Sequence, residues 1–398
     1  VPELVALDLP GGIGFVDALR AIWDTGDAAA PLDPRLPPAA RQALLDALRP
    51  TRIVGSDGEQ RALPDGIGVE DGDALVVATS GTSGTSGHPK GVVLTHDAIA
   101  ASAVATSARL GIDPARHVWM ACLPLAHIGG LSVVTRSIIT GTPVVVLPGF
   151  EAEVVERAGR SGQVSHVSLV ATALQRLDPS VFTCVLLGGS RVPDALPPNA
   201  VATYGMTETG SGVVYDGWPL DGVELSFRPA QGTDPGREPD ADGAADAEGE
   251  ILIRAPMLFR CYRGAHDDAL VAGPDGSRDW FATGDAGRLD GDGKLAVSGR
   301  IADVITTGAE KVWPDQVERV LIAHPGIAEV AIWKRLDPEW GERVVAWVVP
   351  IDNGPSLDEL RQMVTEGIAP WAAPKELVLV EDLPRTAGGK VRRRALEP

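Results

Sequence analysis

The sequence predicts an α/β protein in three parts: a large N-terminal domain of layered α/β subdomains, a small β-rich subdomain and a small α+β C-terminal domain. Three changes of pattern along the chain predict it. From about residue 72 to 227, short apolar β-branched runs such as Val144 to Leu147, Val164 to Val170 and Val185 to Leu187 alternate with helix-like stretches, as α/β layering requires. Short strand signals and a tight turn at Asp290 to Lys294 then predict hairpins. After Gly299 and Arg300, an amphipathic helix beginning near Pro314 carries Val317, Val320 and Leu321 on one side. Strand-like Glu329 to Trp333 and Val344 to Val349 follow, then a helix over roughly Ser356 to Ile368. That module is about a hundred residues long, a common domain size. Residues 229–249, rich in Pro, Gly, Asp and Glu, read as a solvated loop between Val223 to Phe227 and Glu250 to Arg254.

A chain of 398 residues with 44% hydrophobic content can bury large cores. No segment approaches the roughly 18 apolar residues of a membrane span, and the first residues lack a basic start before an apolar stretch, so the expected location is the cytoplasm. A formal charge of -19 argues against nucleic acid or an anionic membrane as the main partner. Cys122, Cys184 and Cys261 sit apart among apolar neighbours and read as buried free thiols.

The chemistry starts at residues 79–91, TSGTSGTSGHPKG, directly after the apolar run Ala74 to Ala78. Composition alone would allow a flexible linker. A linker has no reason to follow a strand-like run or to end in Pro-Lys-Gly, whereas small residues let backbone N–H groups close around phosphate oxygens and Lys90 adds a positive charge. Further along, Leu187-Gly-Gly-Ser190 and Tyr204-Gly-Met-Thr-Glu-Thr209 each follow a strand-like run. Thr283-Gly-Asp285 and Gly299-Arg300 flank the hairpins, and Pro384 to Lys390 pairs a second lysine with a glycine turn. Each is weak alone; the order makes them specific.

With these motifs in this order, the chain resembles the adenylate-forming superfamily of acyl-CoA synthetases, luciferases and peptide-synthetase adenylation domains over residues 72–398. The resemblance implies an N-terminal domain over 1–299 that binds acid and ATP, an abbreviated first subdomain, and a mobile lid over 300–398 hinged just after Arg300. It implies ATP and Mg2+ as cofactors and coenzyme A as co-substrate. Thr82, Ser83, Gly84, Thr85, Ser86, Gly87 and Lys90 would cradle the β and γ phosphates. Glu208 suits Mg2+ as a hard oxygen ligand, and Thr207 can donate to the α-phosphate. Gly188, Gly189 and Ser190 offer a wall for adenine beside Tyr204, Gly205 and Met206. Asp285, assisted by Arg300, would take the ribose hydroxyls. Lys390 would bridge the substrate carboxylate and the α-phosphate, lowering the repulsion between two anions. Its rotation away would present the loop at Thr307 and Gly308 to a thiol. The competing reading makes Lys390 part of a solvated basic tail with Arg392, Arg393 and Arg394. Two departures from the family pattern stand out: a third Thr-Ser-Gly triplet, and Ala302 followed by Asp303 at the hinge.

For the acid, Leu123-Pro-Leu-Ala-His-Ile-Gly-Gly130 matches the family segment whose histidine lines the acyl pocket, which implicates His127. The next stretch reads as an apolar helix bearing one cation, Arg136, with Ser132 one turn earlier on the same face. A buried arginine needs an anionic or hydrogen-bonded partner, either a protein carboxylate or the substrate. Together with YGMTETGSG and the segments 213–217 and 219–223, this arginine makes the chain similar to the short actinobacterial o-succinylbenzoate-CoA ligases of menaquinone synthesis. Their substrate is a dicarboxylate, so Arg136 is expected to receive the second carboxylate, with Ser211 and Tyr215 as further pocket residues. The partners expected are therefore a small carboxylic acid, ATP and CoA, with a homodimer left open. The alternatives are a ligase for another aryl or medium-chain acid, an enzyme loading a carrier-protein thiol, or a degenerate AMP- or acyl-binding homologue.

Overall fold

The computed structural model describes residues 1–56, 58–79, 89–189, 195–229, 248–264, 269–308, 310–385 and 391–396. The chain divides into two compact units, Val1–Ser226 with Leu252–Ala282, and Phe227–Ile251 with Thr283–Pro398.

Two seven-stranded sheets build the first unit. One has the order Cys261–Tyr262, Lys90–Thr95, Asp73–Thr79, Ala28–Pro31, Leu4–Leu7, Arg52–Val54, Gln60–Ala62. Its centre is parallel, with Leu4–Leu7 between Ala28–Pro31 and Arg52–Val54, and every residue of Leu4–Leu7 is excluded from solvent. Complete burial is what a parallel strand covered on both faces requires. Residues 1–70, to which the motifs give no role, thus supply four strands to the sheet that carries Asp73–Thr79.

The second sheet runs Trp218–Pro219, Ser211–Tyr215, Ala200–Met206, Cys184–Leu187, His166–Leu169, Trp119–Ala121, Val144–Val146. Its expected strands at 144, 164 and 185 are present, each within a few residues of the periodicity limits. Met120, Val155, Val167, Leu169, Val185 and Leu187 form one core on it. The helix His96–Arg109 starts where Thr95 Oγ1 accepts the Ala98 N–H at 3.1 Å, with Asp97 in its first turn and Arg109 in its last, complementing the helix dipole at both ends. The helix Ile128–Thr140 stops at Gly141, whose φ of 71° is the left-handed conformation that ends helices.

The strands Glu224–Arg228, Gly249–Arg254, Leu270–Val271, Trp280–Leu289 and Leu295–Arg300 form the predicted β-rich sheet. In the turn at Asp290, its N–H donates to the Lys294 carbonyl at 2.8 Å while its side chain accepts from the Lys294 N–H at 2.9 Å. A last five-stranded sheet, with strands at Ile305–Thr307, Glu310–Val312, Ile327–Asp337, Gly341–Pro350 and Glu376–Leu379, completes the second unit. The predicted helices are Pro314–Leu321 and Leu357–Gly367; Val317, Leu321, Leu360 and Val364 join Ile332, Val344, Ala346 and Val348 in its core. Proline opens the first of these helices, where its missing N–H costs nothing, and Ser356 with Glu359 forms a capping box on the second.

Among the described residues, no helix is long and apolar enough to cross a membrane. Burial pushes the Cys122 thiol up to about 12 and Cys184 to about 11. Cys261 departs from the expectation: it is only half-buried, because it lies on an edge strand.

Candidate functional site

Lys90 opens a strand that folds back on Asp73–Thr79, with Thr79 opposite Lys90. The segment between them, including Thr82, Ser83, Gly84, Thr85, Ser86 and Gly87, lies outside the described residues. Thr207–Thr209 is a single 3-10 turn joining two antiparallel strands. Thr209 Oγ1 accepts the Met206 N–H at 2.9 Å and donates to the Ser211 carbonyl at 2.6 Å, and Gly210 at φ 67° completes the reversal. A Cβ on Gly205 would lie 2.2 Å from the Ser211 carbonyl oxygen, so this turn admits no side chain there.

That turn aims Glu208 at the segment returning along Lys90–Thr95. The Phe259 N–H donates to the Glu208 carbonyl at 2.8 Å, and the Tyr262 phenol donates to Glu208 Oε1 at 2.9 Å. Lys90 Nζ sits 5.0 Å from the centre of the same tyrosine ring. The predicted phosphate lysine and the predicted metal ligand thus meet around Tyr262. No group of three or more His, Cys, Asp or Glu that could hold a metal occurs among the described residues. A single carboxylate beside a phosphate-binding cation fits Mg2+, which is commonly held by one or two carboxylates plus substrate phosphates.

Gly188 and Gly189 follow the strand Cys184–Leu187. A Cβ on Gly188 would fall 2.5 Å from Thr203 Oγ1, which donates to the Leu187 carbonyl at 3.0 Å, and Gly189 has φ 81°. Ser190 lies outside the described residues. Tyr204 is half-buried on the neighbouring strand.

In the second unit, Asp285 and Arg300 are direct cross-strand partners. Arg300 Nε is 2.9 Å from Asp285 Oδ1, Arg300 Nη1 donates to the Thr283 carbonyl at 2.8 Å, and the Asp285 N–H donates to Thr283 Oγ1 at 3.1 Å. The Thr-Gly-Asp motif therefore fixes a buried carboxylate beside a guanidinium. Lys390 lies outside the described residues. Arg393, three residues later, does not belong to a solvated tail: it donates to both oxygens of Glu318 at 2.8 and 3.0 Å, to Asp315, and to Asp303 at 3.2 Å. Glu318 also accepts the Ile332 N–H at 2.8 Å. Burial pushes the Glu318 carboxyl up to about 7 although Arg393 opposes the shift.

The acid-side residues collect on the helix Ile128–Thr140. His127 caps it by position and is exposed; a Cβ on Gly130 would meet the Leu123 carbonyl at 2.5 Å, so the preceding turn lies tight on the helix start. Ser211 Oγ donates to Ser132 Oγ at 3.2 Å, and the Tyr215 phenol is 3.0 Å from Thr106 Oγ1. Arg136 is 1% exposed, and its guanidinium carbon stands 4.8 Å from the centre of the Trp119 ring. None of its nitrogens has a hydrogen-bond partner among the described residues. Burial lowers its pKa, with Tyr215 and Cys184 opposing. His166 flanks the same indole at 5.2 Å and is driven down to about 4 by burial, His117 and Arg136, so it is neutral at neutral pH.

The profile of the AMP-binding enzymes matches residues 76–263, and that of the AMP-binding enzyme C-terminal domain matches 316–390. A 2-succinylbenzoate--CoA ligase of Bacillus anthracis (strain A0248) is 34% identical over 79% of this chain and 68% of its own length. The chain belongs to the AMP-binding enzymes. Another 2-succinylbenzoate--CoA ligase, from Bacillus cereus (strain AH820), is 31% identical over 99% of this AMP-binding enzyme and 88% of the relative. The o-succinylbenzoate CoA synthetase of Bacillus subtilis, solved with its acyl-adenylate intermediate OSB-AMP, is 27% identical with a TM-score of 0.83, covering 100% of this chain and 88% of that one. ATP-bound MatB from Rhodopseudomonas palustris, 22% identical with a TM-score of 0.83 over 100% and 88%, shares the fold.

Three residues of this AMP-binding enzyme make contacts that the sequence reading did not expect. Tyr262 follows a single cysteine on a two-residue strand, too short for periodicity to mark. Trp119 sits in an apolar run that reads as core. Arg393 is hidden by its basic neighbours, and only the acidic side chains Asp315 and Glu318 on a helix three residues apart hint at a buried cation opposite.

Proposed function

We propose that this AMP-binding enzyme is an ATP-dependent acid–CoA ligase that activates o-succinylbenzoate through an acyl-adenylate, as its relatives' names suggest. One observation carries the choice of acid: Arg136 is a buried guanidinium without a protein acceptor among the described residues, on the helix that also holds Ser132 against Ser211. An arginine in that state costs stability unless a ligand anion completes it. A dicarboxylate supplies that anion while its other carboxylate reacts.

In the first half-reaction the free carboxylate attacks the α-phosphorus of ATP and pyrophosphate leaves. Thr82 to Gly87 and Lys90 take the β and γ phosphates, and Thr207 donates to the α-phosphate. Glu208 is the residue that would hold Mg2+, which when bound neutralises phosphate charge. Gly188, Gly189, Ser190, Tyr204, Gly205 and Met206 face adenine, Asp285 and Arg300 the ribose, and His127, Ser132, Ser211 and Tyr215 the acyl group. Lys390 offsets the repulsion between the acid and the α-phosphate. The proposed division is 1–299 for substrate binding and 300–398 for the moving part, with the pivot at Ala302 or Asp303. CoA then attacks the adenylate, displacing AMP. We place this chemistry in the cytoplasm, where ATP and CoA are available.

Incubation with ATP, Mg2+, CoA and o-succinylbenzoate, followed by mass detection of the thioester, tests the proposal. Pyrophosphate release with benzoates or fatty acids but not with o-succinylbenzoate would replace the substrate. Transfer to a carrier protein with no transfer to CoA would replace the acceptor.

A further inference from the structure

The pair formed by Glu208 and Lys90 contains an unassigned third member. We propose that Tyr262 is a positioning residue that holds the metal-binding carboxylate and the phosphate-binding ammonium at a fixed separation. Its phenol donates to Glu208 Oε1 at 2.9 Å while its ring faces Lys90 Nζ at 5.0 Å. A hydrogen bond to an ionised carboxylate is among the stronger ones, and an ammonium over an aromatic face adds a second attraction. Glu208 thus meets the hydroxyl end of the tyrosine and Lys90 its face. The ring thereby keeps the two charges from neutralising each other, so each stays directed toward a ligand of opposite sign.

The tyrosine is itself held on both sides. Cys261 and Tyr262 pair with Val93 and Val92, the Arg260 N–H donates to the Val93 carbonyl at 2.8 Å, and the Arg263 N–H donates to the Gly91 carbonyl at 2.7 Å. The Arg260 guanidinium grips both oxygens of buried Asp73 at 2.9 and 2.8 Å. Arg263 donates to the carbonyls of Leu48 and Gly68. Phe259 packs its ring 4.8 Å from that of Tyr262. Two flanking arginines with separate anchors leave the phenol little freedom, which is what positioning a neighbour demands.

The inference rests on the nucleotide reading above, not on the identity of the acid. Its test is calorimetric titration of ATP, with and without Mg2+, into full-length wild type, Tyr262→Phe, Tyr262→Leu, Glu208→Gln and the double variant Tyr262→Phe/Glu208→Gln. Tyr262→Phe keeps the ring, and its Mg2+ requirement for ATP binding is expected to rise about ten-fold, the scale of one charge-assisted hydrogen bond, while Mg2+-free binding stays as in wild type. Tyr262→Leu is expected to weaken Mg2+-free binding as well, by about three-fold or more. In the Glu208→Gln background, Tyr262→Phe is expected to add nothing. An unchanged Mg2+ requirement in Tyr262→Phe, or an equal loss in the Glu208→Gln background, overturns the proposal. Wild type that binds ATP with Mg2+ but forms no o-succinylbenzoyl thioester counts against the substrate reading alone.

Discussion

The Arg136 guanidinium stacks 4.8 Å from the Trp119 ring and has no hydrogen-bond acceptor among the described residues. The indole face offers a partial counter-charge and leaves the five N–H donors unused. Desolvating a charged group without a partner opposes folding, and a ligand anion would offset that cost.

Replacing Arg136 separates a binding role from a structural one. Arg136→Ala is expected to lower kcat/KM for o-succinylbenzoate by about ten- to a hundred-fold, the range for losing a charged hydrogen-bond pair. Arg136→Met fills the volume without the charge and is expected to keep or raise the thermal midpoint. Steady-state kinetics and a melting curve check both; a lower melting point with unchanged kinetics would make Arg136 structural.

Asp285 and Arg300 face each other across a hairpin, so their geometry is set by strand register. Asp285→Ala is expected to weaken ATP binding by about ten-fold or more, since about 1.5–3 kcal/mol attends a hydrogen bond to a charged group. Half-saturation by the acid is expected to stay within about two-fold. Initial rates over an ATP series at saturating acid, then over an acid series at saturating ATP, separate the two.

The placement of the motif residues was legible because it is local: Thr207 and Glu208 sit on one turn, Gly188 and Gly189 on another, and Asp285 with Arg300 on one hairpin. The helix from Pro314 and the strands at Val144 and Val185 were legible because burial on one face or both leaves a simple periodicity. Residues 1–70 were not, because the strand they place in the middle of the seven-stranded sheet is Ala28–Pro31, three alanines and a proline with little β-propensity, held there by burial between Leu4–Leu7 and Asp73–Thr79. Nor were the partners of Arg393, since a cation 75 residues from Glu318 in sequence is brought there only by folding.

Glu318 makes the stability of the second unit depend on pH. Burial raises its carboxyl from 4.5 to about 7, so the folded chain holds a proton there that the unfolded chain has released. Its stabilising contribution is complete below pH 4.5 and is lost as pH rises through about 7. Glu318→Gln removes the titration. Urea unfolding between pH 5 and 8, roughly the window given by those two values, is expected to show a flatter slope for the variant than for wild type. Parallel slopes would refute the assignment.

Lys390 is the residue whose removal should split the two half-reactions. Its proposed task belongs only to adenylation, where two anions must approach, and the thiol attack on a finished adenylate needs no such cation. Lys390→Ala is expected to cut pyrophosphate release by at least about a hundred-fold, a loss of about 2.7 kcal/mol of transition-state stabilisation. The rate of thioester formation from supplied o-succinylbenzoyl-AMP and CoA is expected to stay within about three-fold of wild type. Arg393→Ala offers the contrast, because it leaves the lysine in place and frees the chain three residues beyond it from Glu318, Asp315 and Asp303. If that segment's anchorage steadies Lys390, adenylation falls in this variant too, by a smaller factor, and the melting midpoint falls with it. Equal losses in both half-reactions for Lys390→Ala would mean that the lysine serves the fold or the binding of AMP, not the meeting of the anions.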